Sequence, residues 1–370
     1  MRPPAEIVAA RDRLKSCLLD RAFPIWWTPG ADLERGGFHD RLHASGQPIA
    51  GAKRARVAAR QVFSYAAAGE LGWNGPWREA MDQGLAFLES RHRRADGLFR
   101  TQADPPDETV DLYDQAFALL ALVVAAGQGD VGASARAEAL LGRLPREAVG
   151  GFAGFQGADL DANPNMHLFE AFLAWTSLGG DGPWREAAAG QARLATTRLI
   201  DPETGALAEL FGPGWTAPAR VDRRVEPGHQ FEWAWLLMNW SVISGDTPVM
   251  AQVLRLIEVG ERAGVDAMRN VAINALDGNL RAADPGTRLW PQTERLRAAL
   301  LAGALTSDAG CWDMALKATA GLWLFLDVPT PGLWRDSLES DDLSAPASSL
   351  YHIVGAVLQM DRLVEGRDGL

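Results

Sequence analysis

Leu71-Gly-Trp-Asn-Gly-Pro-Trp-Arg-Glu-Ala80 returns as Leu178-Gly-Gly-Asp-Gly-Pro-Trp-Arg-Glu-Ala187, 107 residues further along. Each copy reads as the end of one helix, a glycine-rich turn and the start of the next, with Pro76 and Pro183 where first-turn prolines belong. Sliding the chain by the same 107 places lays His167 on Arg60. A weaker echo, Trp175/Gly180/Asp181 against Trp240/Gly245/Asp246, lays Glu232 on His167 at an offset of 65. Aligning Asp181 with Asp308 adds Glu294 to the set. By position in the next apolar segments, Asp114 or Gln115 and His352 complete it. Spacings of 52–65 residues suit one helix–turn–helix unit with a long loop. Six such units around an axis predict a closed all-α ring, six inner and six outer helices, with polar groups pointing into one funnel.

Composition narrows the functional classes. A chain of 370 residues, 47% hydrophobic, is long enough to bury a large core, and no stretch resembles a linker, so one domain over 1–370 is expected. Lys+Arg 36 against Asp+Glu 47 gives a net charge of −11 without a basic cluster, which argues against nucleic acid and against an anionic membrane as partners. Cys17 and Cys311 offer neither a disulfide framework nor a C-x-x-C pair and suit a reducing compartment. Charged residues at Arg2, Glu6, Arg11, Asp12, Arg13 and Lys15 make the N-terminus an amphipathic helix rather than a signal peptide. No apolar run reaches the ~18 residues of a membrane span. The expectation is a soluble, cytoplasmic protein, a monomer or a homodimer.

Segments 56–71, 112–126, 167–178, 229–243, 293–306 and 350–364 are apolar on nearly every face, as helices packed between neighbours must be. The amphipathic segments 5–20, 77–93, 132–143, 184–199, 247–263 and 308–326 alternate with them. Gly37-Phe-His-Asp-Arg-Leu with Ala44-Ser-Gly-Gln reads as a hairpin, and so does 271–276 turning at Asp277-Gly278. Asp96-Gly-Leu-Phe and Thr204-Gly-Ala-Leu read as shorter turn-and-strand punctuation. The loops 150–165, 212–228, 281–292 and 329–349 lead into inner helices, and each carries an aromatic: Phe155, Trp215, Trp290 and Trp334. Such loops inside a compact ring are usually functional, and an aromatic face suits the C–H face of a pyranose. Packing is the other reading of those rings.

His167, His229 and His352 begin three inner helices. Asn163 reads as the N-cap before His167, with Pro164 first in the helix. The positive end of a helix dipole disfavours imidazolium, so all three are expected to be neutral near pH 7 and able to accept a proton. His229 and Glu232 share a helix face, where Glu232 could orient His229, raise its basicity or bind a hydroxyl. Glu294 and Arg60 face the same funnel by the repeat argument. A fixed guanidinium at Arg60, with Arg56 one turn earlier as its alternate, suits oxygen charge that develops in a transition state; a buried ion pair with a glutamate is the plainer reading. No H-x-H or H-E-x-x-H pattern occurs, and neither a phosphate-cradling glycine loop nor a G-x-S-x-G elbow, so no metal and no cofactor are expected.

At these residues the chain resembles the N-acylglucosamine 2-epimerase family of sugar 2-epimerases and aldose–ketose isomerases. The matching stretches are Gly36-Gly-Phe38 with Asp40, Lys53 through Arg60-Gln61, Asn163-Pro-Asn-Met-His167-Leu-Phe-Glu170-Ala, Glu226-Pro-Gly-His229-Gln-Phe-Glu232-Trp, Arg288-Leu-Trp290-Pro-Gln-Thr-Glu294 and Leu350-Tyr351-His352. They span nearly the whole chain in the family's order. The resemblance implies an (α/α)6 barrel and a small-molecule sugar substrate. It implies that His229 and His352 flank C1–C2 of an open-chain sugar, with His352 as the base and His229 as the ring-opening or opposing acid. His167, Glu232, Glu294, Arg60 and Trp290 would hold the substrate. Glu232-Trp233 and Tyr351 look more like the mannose-type isomerases; Arg60-Gln61 looks more like the acylglucosamine epimerases. The expectation is an isomerase of the D-mannose/D-fructose type, or of the 6-phosphates. A 2-epimerase is the first rival, followed by a glycoside hydrolase using Glu232 and Glu294 and by a carbohydrate-binding module.

Overall fold

The computed structural model describes residues 3–103, 105–155, 160–179, 182–245 and 249–367. Gly180, Asp181 and Asp246 of the repeat lie outside the described residues. The helices are α1 (Ala5–Cys17), α2 (Phe23–Trp27), α3 (Ala55–Leu71), α4 (Trp77–Phe87), α5 (Leu112–Gly127), α6 (Ala133–Leu141), α7 (Ala162–Gly179), α8 (Pro183–Leu194), α9 (Pro227–Ser244), α10 (Met250–Gly264), α11 (Trp290–Thr306), α12 (Ala309–Leu326) and α13 (Ser348–Glu365). Each of the twelve expected helices is present, and α2 is the addition, started by Pro24. Three amphipathic helices run on through one π-helical turn, at Leu18–Ala22, Leu88–His92 and Ala195–Leu199. The repeated Leu-Gly is a helix stop: α3 ends on Gly72 in the left-handed region at φ 90°, which costs glycine little.

The helices divide into two compact units. A flanking unit comprises 3–143 and 322–367, and a central unit comprises 144–321. In the flanking unit α3 packs between α5 and α13, while α4 backs α3, α6 backs α5 and α1 backs α13. In the central unit α9 packs between α7 and α11, with α8 behind α7 and α10 behind α9. From Pro227 to Trp240 every residue of α9 is buried, as an all-round apolar helix requires.

The turns differ in part from expectation. Val271–Asp277 pairs antiparallel with Ala282–Thr287, so much of the predicted 281–292 loop is the second strand of the hairpin. Asp277 Oδ1 shapes that turn by accepting from the backbone N–H of Asn279 and Arg281 at 2.8 and 3.0 Å. The other predicted hairpin is shorter than expected. Leu42 bridges Pro48 across the 44–47 turn, with the His43 N–H donating to Gln47 and the Ile49 N–H to Arg41, and Arg41–Leu42 takes Ala345–Pro346 as a further partner. The shorter punctuation closes as expected, with bridges from Arg93 to Phe99 and from Ile200 to Leu207.

One device fixes where the buried helices begin. Gln115, Asn165, Gln230 and Gln292 each turn a side-chain amide back onto one residue of the preceding turn or strand. Each amide oxygen accepts that residue's N–H and each amide nitrogen donates to its carbonyl: Phe99 at 2.8 and 2.8 Å, Phe152 at 2.9 and 2.9 Å, Leu207 at 2.8 and 2.9 Å, Ala272 at 2.8 and 3.0 Å. Every amide nitrogen also reaches the carbonyl four residues back: Asp111, Asp161, Glu226 and Arg288. Buried backbone groups need partners, and an amide supplies a donor and an acceptor at once. The clamps define equivalent positions. Two places after each lie Phe117, His167, Glu232 and Glu294. The repeat alignment of His167, Glu232 and Glu294 therefore holds, whereas the α5 equivalent is Phe117 rather than Asp114 or Gln115. Helix α7 also starts earlier than expected: Asp161, not Asn163, takes the cap, its Oδ1 accepting the Asn163 N–H at 2.8 Å. No helix among the described residues is long and apolar enough to cross a membrane.

Candidate active site

In the central unit, His229 is the third residue of α9 and is buried. Its Nδ1 lies 2.7 Å from Glu209 Oε2 and 4.0 Å from Glu226 Oε2. Glu209 Oε1 accepts the Glu226 N–H at 3.1 Å, so one carboxylate holds both the ring and the start of its helix. Glu226 is already paired with Arg224 at 3.0 Å and Arg288 at 3.2 Å. Burial opposes a charged imidazole here, but Glu209, with Glu226 and Glu232 behind it, outweighs burial and raises His229 to about 9. The expected neutral His229 is thereby corrected: a carboxylate at hydrogen-bond distance outweighs a helix dipole. Of the roles open to Glu232, orienting the ring falls to Glu209 instead, while Glu232 does add to the basicity of His229. Trp290 packs against His229 with centroids 4.9 Å apart. A side chain at residue 228 would meet the Trp290 ring at 2.5 Å, which is why glycine precedes the histidine.

A second cluster joins α7, α9 and α11. His167 Nδ1 lies 3.6 Å from Glu170 Oε2 and 3.7 Å from Glu232 Oε1. Arg297 pairs with Glu294 at 3.0 Å and Glu170 at 3.4 Å, its guanidinium 3.6 Å above the Trp235 ring. Glu232 is 1% exposed, and both its carboxylate oxygens are buried without a hydrogen-bond partner. Burial first, then the carboxylates of Glu294 and Glu170, push its carboxyl well above the usual range. His167, Glu170 and Glu232 offer three ligand atoms within 4.8 Å of one another. Their 3.6 and 3.7 Å separations exceed the ~3.3 Å ligand–ligand edge around tetrahedral zinc, so the trio suits a metal only after closing in.

In the flanking unit, Arg60 is 5% exposed and donates from Nη2 to Tyr113 Oη at 2.6 Å. Its guanidinium lies 4.3 Å from the centre of the Phe117 ring, 5.2 Å from Tyr351 and 5.7 Å from Tyr113. Its Nε is buried without a hydrogen-bond partner, and no carboxylate pairs with it among the described residues. The ion-pair reading of Arg60 therefore fails. Arg56 is the opposite case. It donates to both oxygens of Asp114 at 2.9 and 3.1 Å and to Asp111 at 3.2 Å. His352 is buried in the second turn of α13, edge-on to Tyr351 at 4.9 Å.

Of the four loop aromatics, two are core. Trp215 is buried against Phe211, and Trp334 is stacked on Trp26 at 5.1 Å with its Nε1 donating to Pro346. A ring with both faces covered cannot receive a sugar; Phe155 and Trp290 stay half-buried. Glu209 and Arg297 escaped the sequence reading. Glu209 had a signal, an acid inside the apolar run Ala206-Leu-Ala-Glu-Leu-Phe211, because a buried acid requires a partner.

Comparison with known proteins identifies the family and the fold. The N-acylglucosamine 2-epimerase (GlcNAc 2-epimerase) family matches residues 36–356. A relative from Rhizobium meliloti (strain 1021), named mannose-6-phosphate isomerase, is 40% identical over 94% of this chain and 96% of its own. A solved D-mannose isomerase superposes with a TM-score of 0.86 at 20% identity, covering 95% of this chain and 97% of that one. The cellobiose 2-epimerase of Bacillus thermoamylovorans B4167 does so with a TM-score of 0.86 at 17% identity, over 95% and 99%. The equal scores give the fold class, the (α/α)6 barrel, and do not separate isomerase from epimerase. With the family match covering most of its length, the chain belongs to the N-acylglucosamine 2-epimerase family and is an enzyme of its sugar isomerase and epimerase class.

Proposed function

We propose that the chain interconverts an aldose and a ketose of the D-mannose/D-fructose type, free or as the 6-phosphates. His352 takes the proton from C2, the C–H electrons form the C1–C2 double bond, and the O1 carbonyl oxygen accepts a proton from His229. His352 then returns the proton to C1 while O2 gives its hydroxyl proton to His229 and closes to a carbonyl, which yields the ketose and restores both histidines. Arg60 stabilises the enediolate oxygens, while His167, Glu232, Glu294 and Trp290 hold the remaining hydroxyls and the chain of the sugar. Arg56, saturated by Asp114 and Asp111, orders the site without touching substrate.

The observation that carries this reading is Arg60, a buried guanidinium with three aromatic rings around it and no carboxylate partner among the described residues. A fixed positive charge of that kind favours an anionic enediolate and disfavours the oxocarbenium-like state of glycoside hydrolysis. The 40% identity to a protein named mannose-6-phosphate isomerase supports the aldose–ketose direction and the phosphorylated substrate. The second reading is a 2-epimerase, favoured by the family's own description and differing only in return of the proton to the opposite face of C2.

D-mannose and D-mannose 6-phosphate incubated with the enzyme in D₂O, followed by NMR at C1 and C2, test the proposal. The expected result is the ketose, with deuterium or transferred hydrogen at C1, and its loss in His352→Asn by about 10²–10⁴-fold with the fold intact. Glucose as the main product from mannose points to the 2-epimerase. Near-normal turnover by His352→Asn removes the assigned base.

A further inference from the structure

We propose that Glu209 is a positioning residue for the reaction: by accepting the Nδ1–H of His229 it fixes the tautomer and orientation of that ring and leaves Nε2 as the atom that transfers the proton. The inference rests on the acid role given to His229 above. Glu209 precedes the strand Leu210–Phe211 and is held at both backbone ends, its N–H donating to Arg224 at 3.1 Å and its carbonyl accepting from Ala162 at 2.9 Å. Its two oxygens are divided between two donors, Oε2 to His229 at 2.7 Å and Oε1 to the Glu226 N–H at 3.1 Å. The carboxylate therefore cannot rotate away without breaking the first turn of α9. It ties the acid-bearing helix to the N-terminus of α7, which begins at the Ala162 N–H.

The charges around the ring single out Glu209. From its own helix His229 faces Glu226 and Glu232, but Glu226 is spent on Arg224 and Arg288, and Glu232 lies against His167. From α11 come Glu294 and Arg297, paired with each other, and from α7 come His167 and Glu170. Trp290 covers one face of the ring. Glu209 is the closest acid and makes the direct hydrogen bond. With it in place the imidazole titrates at about 9 and is protonated at neutral pH, the form an acid requires. A carboxylate hydrogen-bonded to the far nitrogen of a histidine is a general way to fix tautomer and basicity.

The test reads the ring before it reads the reaction. ¹⁵N–¹H NMR of the imidazoles in the intact enzyme, assigned with His229→Asn, should show His229 titrating near 9 with Nδ1 protonated throughout. Glu209→Gln keeps an acceptor for Nδ1–H and removes the charge, and the His229 midpoint should fall by two pH units or more. In the same variant the alkaline limb of the kcat/KM profile should move down equally, with kcat reduced about 10²-fold and KM within a few-fold. Glu209→Asp should recover part of the midpoint shift. A wild-type His229 midpoint at or below 6.5, or one unmoved by Glu209→Gln, overturns the proposal; the first measurement needs no variant to fold. If the NMR shifts appear but neither hexose nor hexose phosphate is turned over, the sugar assignment falls while the role of Glu209 in holding His229 stands.

Discussion

In the central unit, the place two residues after each clamp amide holds His167, Glu232 or Glu294. In the flanking unit the same place holds Phe117, and Arg60 lies against its ring. The backbone device is the same in both, an amide closing on one residue of the preceding turn, with bond lengths between 2.8 and 3.0 Å. The cargo differs. The central unit gathers carboxylates and imidazoles, among which His229 and Glu232 are pushed toward their protonated forms; the flanking unit sets a guanidinium among aromatic rings, with His352 beside Tyr351. Scaffold and chemistry are thus separable, since the clamp satisfies backbone groups whichever side chain follows it.

The sharpest test of that separation pairs two arginines one helical turn apart. Arg60→Met removes a charge that no acid among the described residues compensates, so kcat/KM should fall by about 10²–10³-fold while the melting temperature holds or rises. Arg56→Met strands the fully buried Asp114 carboxylate and should cost about 3–5 kcal/mol of stability in equilibrium unfolding. If Arg60→Met were the destabilised variant, the guanidinium of the flanking unit would be structural and the comparison would break.

Next in size come the clamps. Gln230→Leu and Gln115→Leu each leave a buried N–H and a buried carbonyl unsatisfied, at about 2–4 kcal/mol per variant by urea unfolding. Similar costs in the two units would establish one shared device. A cost under about 0.5 kcal/mol in either would show that water or a neighbouring group replaces the amide there.

The smallest effect concerns pH. His229 at about 9 and Glu232 well above its ordinary value both retain protons that the unfolded chain has released. Stability from His229 is complete below 6.5 and is lost as pH rises through 9; for Glu232 the loss begins just above the ordinary glutamate value. The melting temperature should therefore decline from pH 6 to 9. Glu232→Gln should flatten the decline and gain most at the alkaline end. A decline unchanged by that substitution would place the sensitive group elsewhere.

Much of the fold was legible in the sequence because helix periodicity and helix-stop turns are local. The weaker echoes, Trp175 against Trp240 and Asp181 against Asp308, aligned His167 with Glu232 and Glu294 correctly, since each helix starts from the same clamp. Position in the next apolar segment misplaced the α5 counterpart, because the equivalence is set by a hydrogen-bonding amide rather than by similarity of charge. For Trp215 and Trp334 the sequence left packing and a sugar platform both open, because an aromatic in a loop carries no mark of which face is covered. The hairpin at 37–47 closes only around Leu42 and Pro48 and gains a distant strand, Ala345–Pro346, since a two-residue strand specifies no partner of its own.

By itself the sequence determined the alternation of buried and amphipathic helices, the family, and which positions carry histidine, glutamate and arginine. Only the tertiary structure decided the states of those groups. Whether an imidazole is charged, a carboxyl neutral or a guanidinium unpaired depends on neighbours tens of residues away, such as Glu209 for His229 and Asp114 for Arg56. Burial strengthens those few contacts by removing the water that would screen them, and the local pattern does not record which residues will meet there.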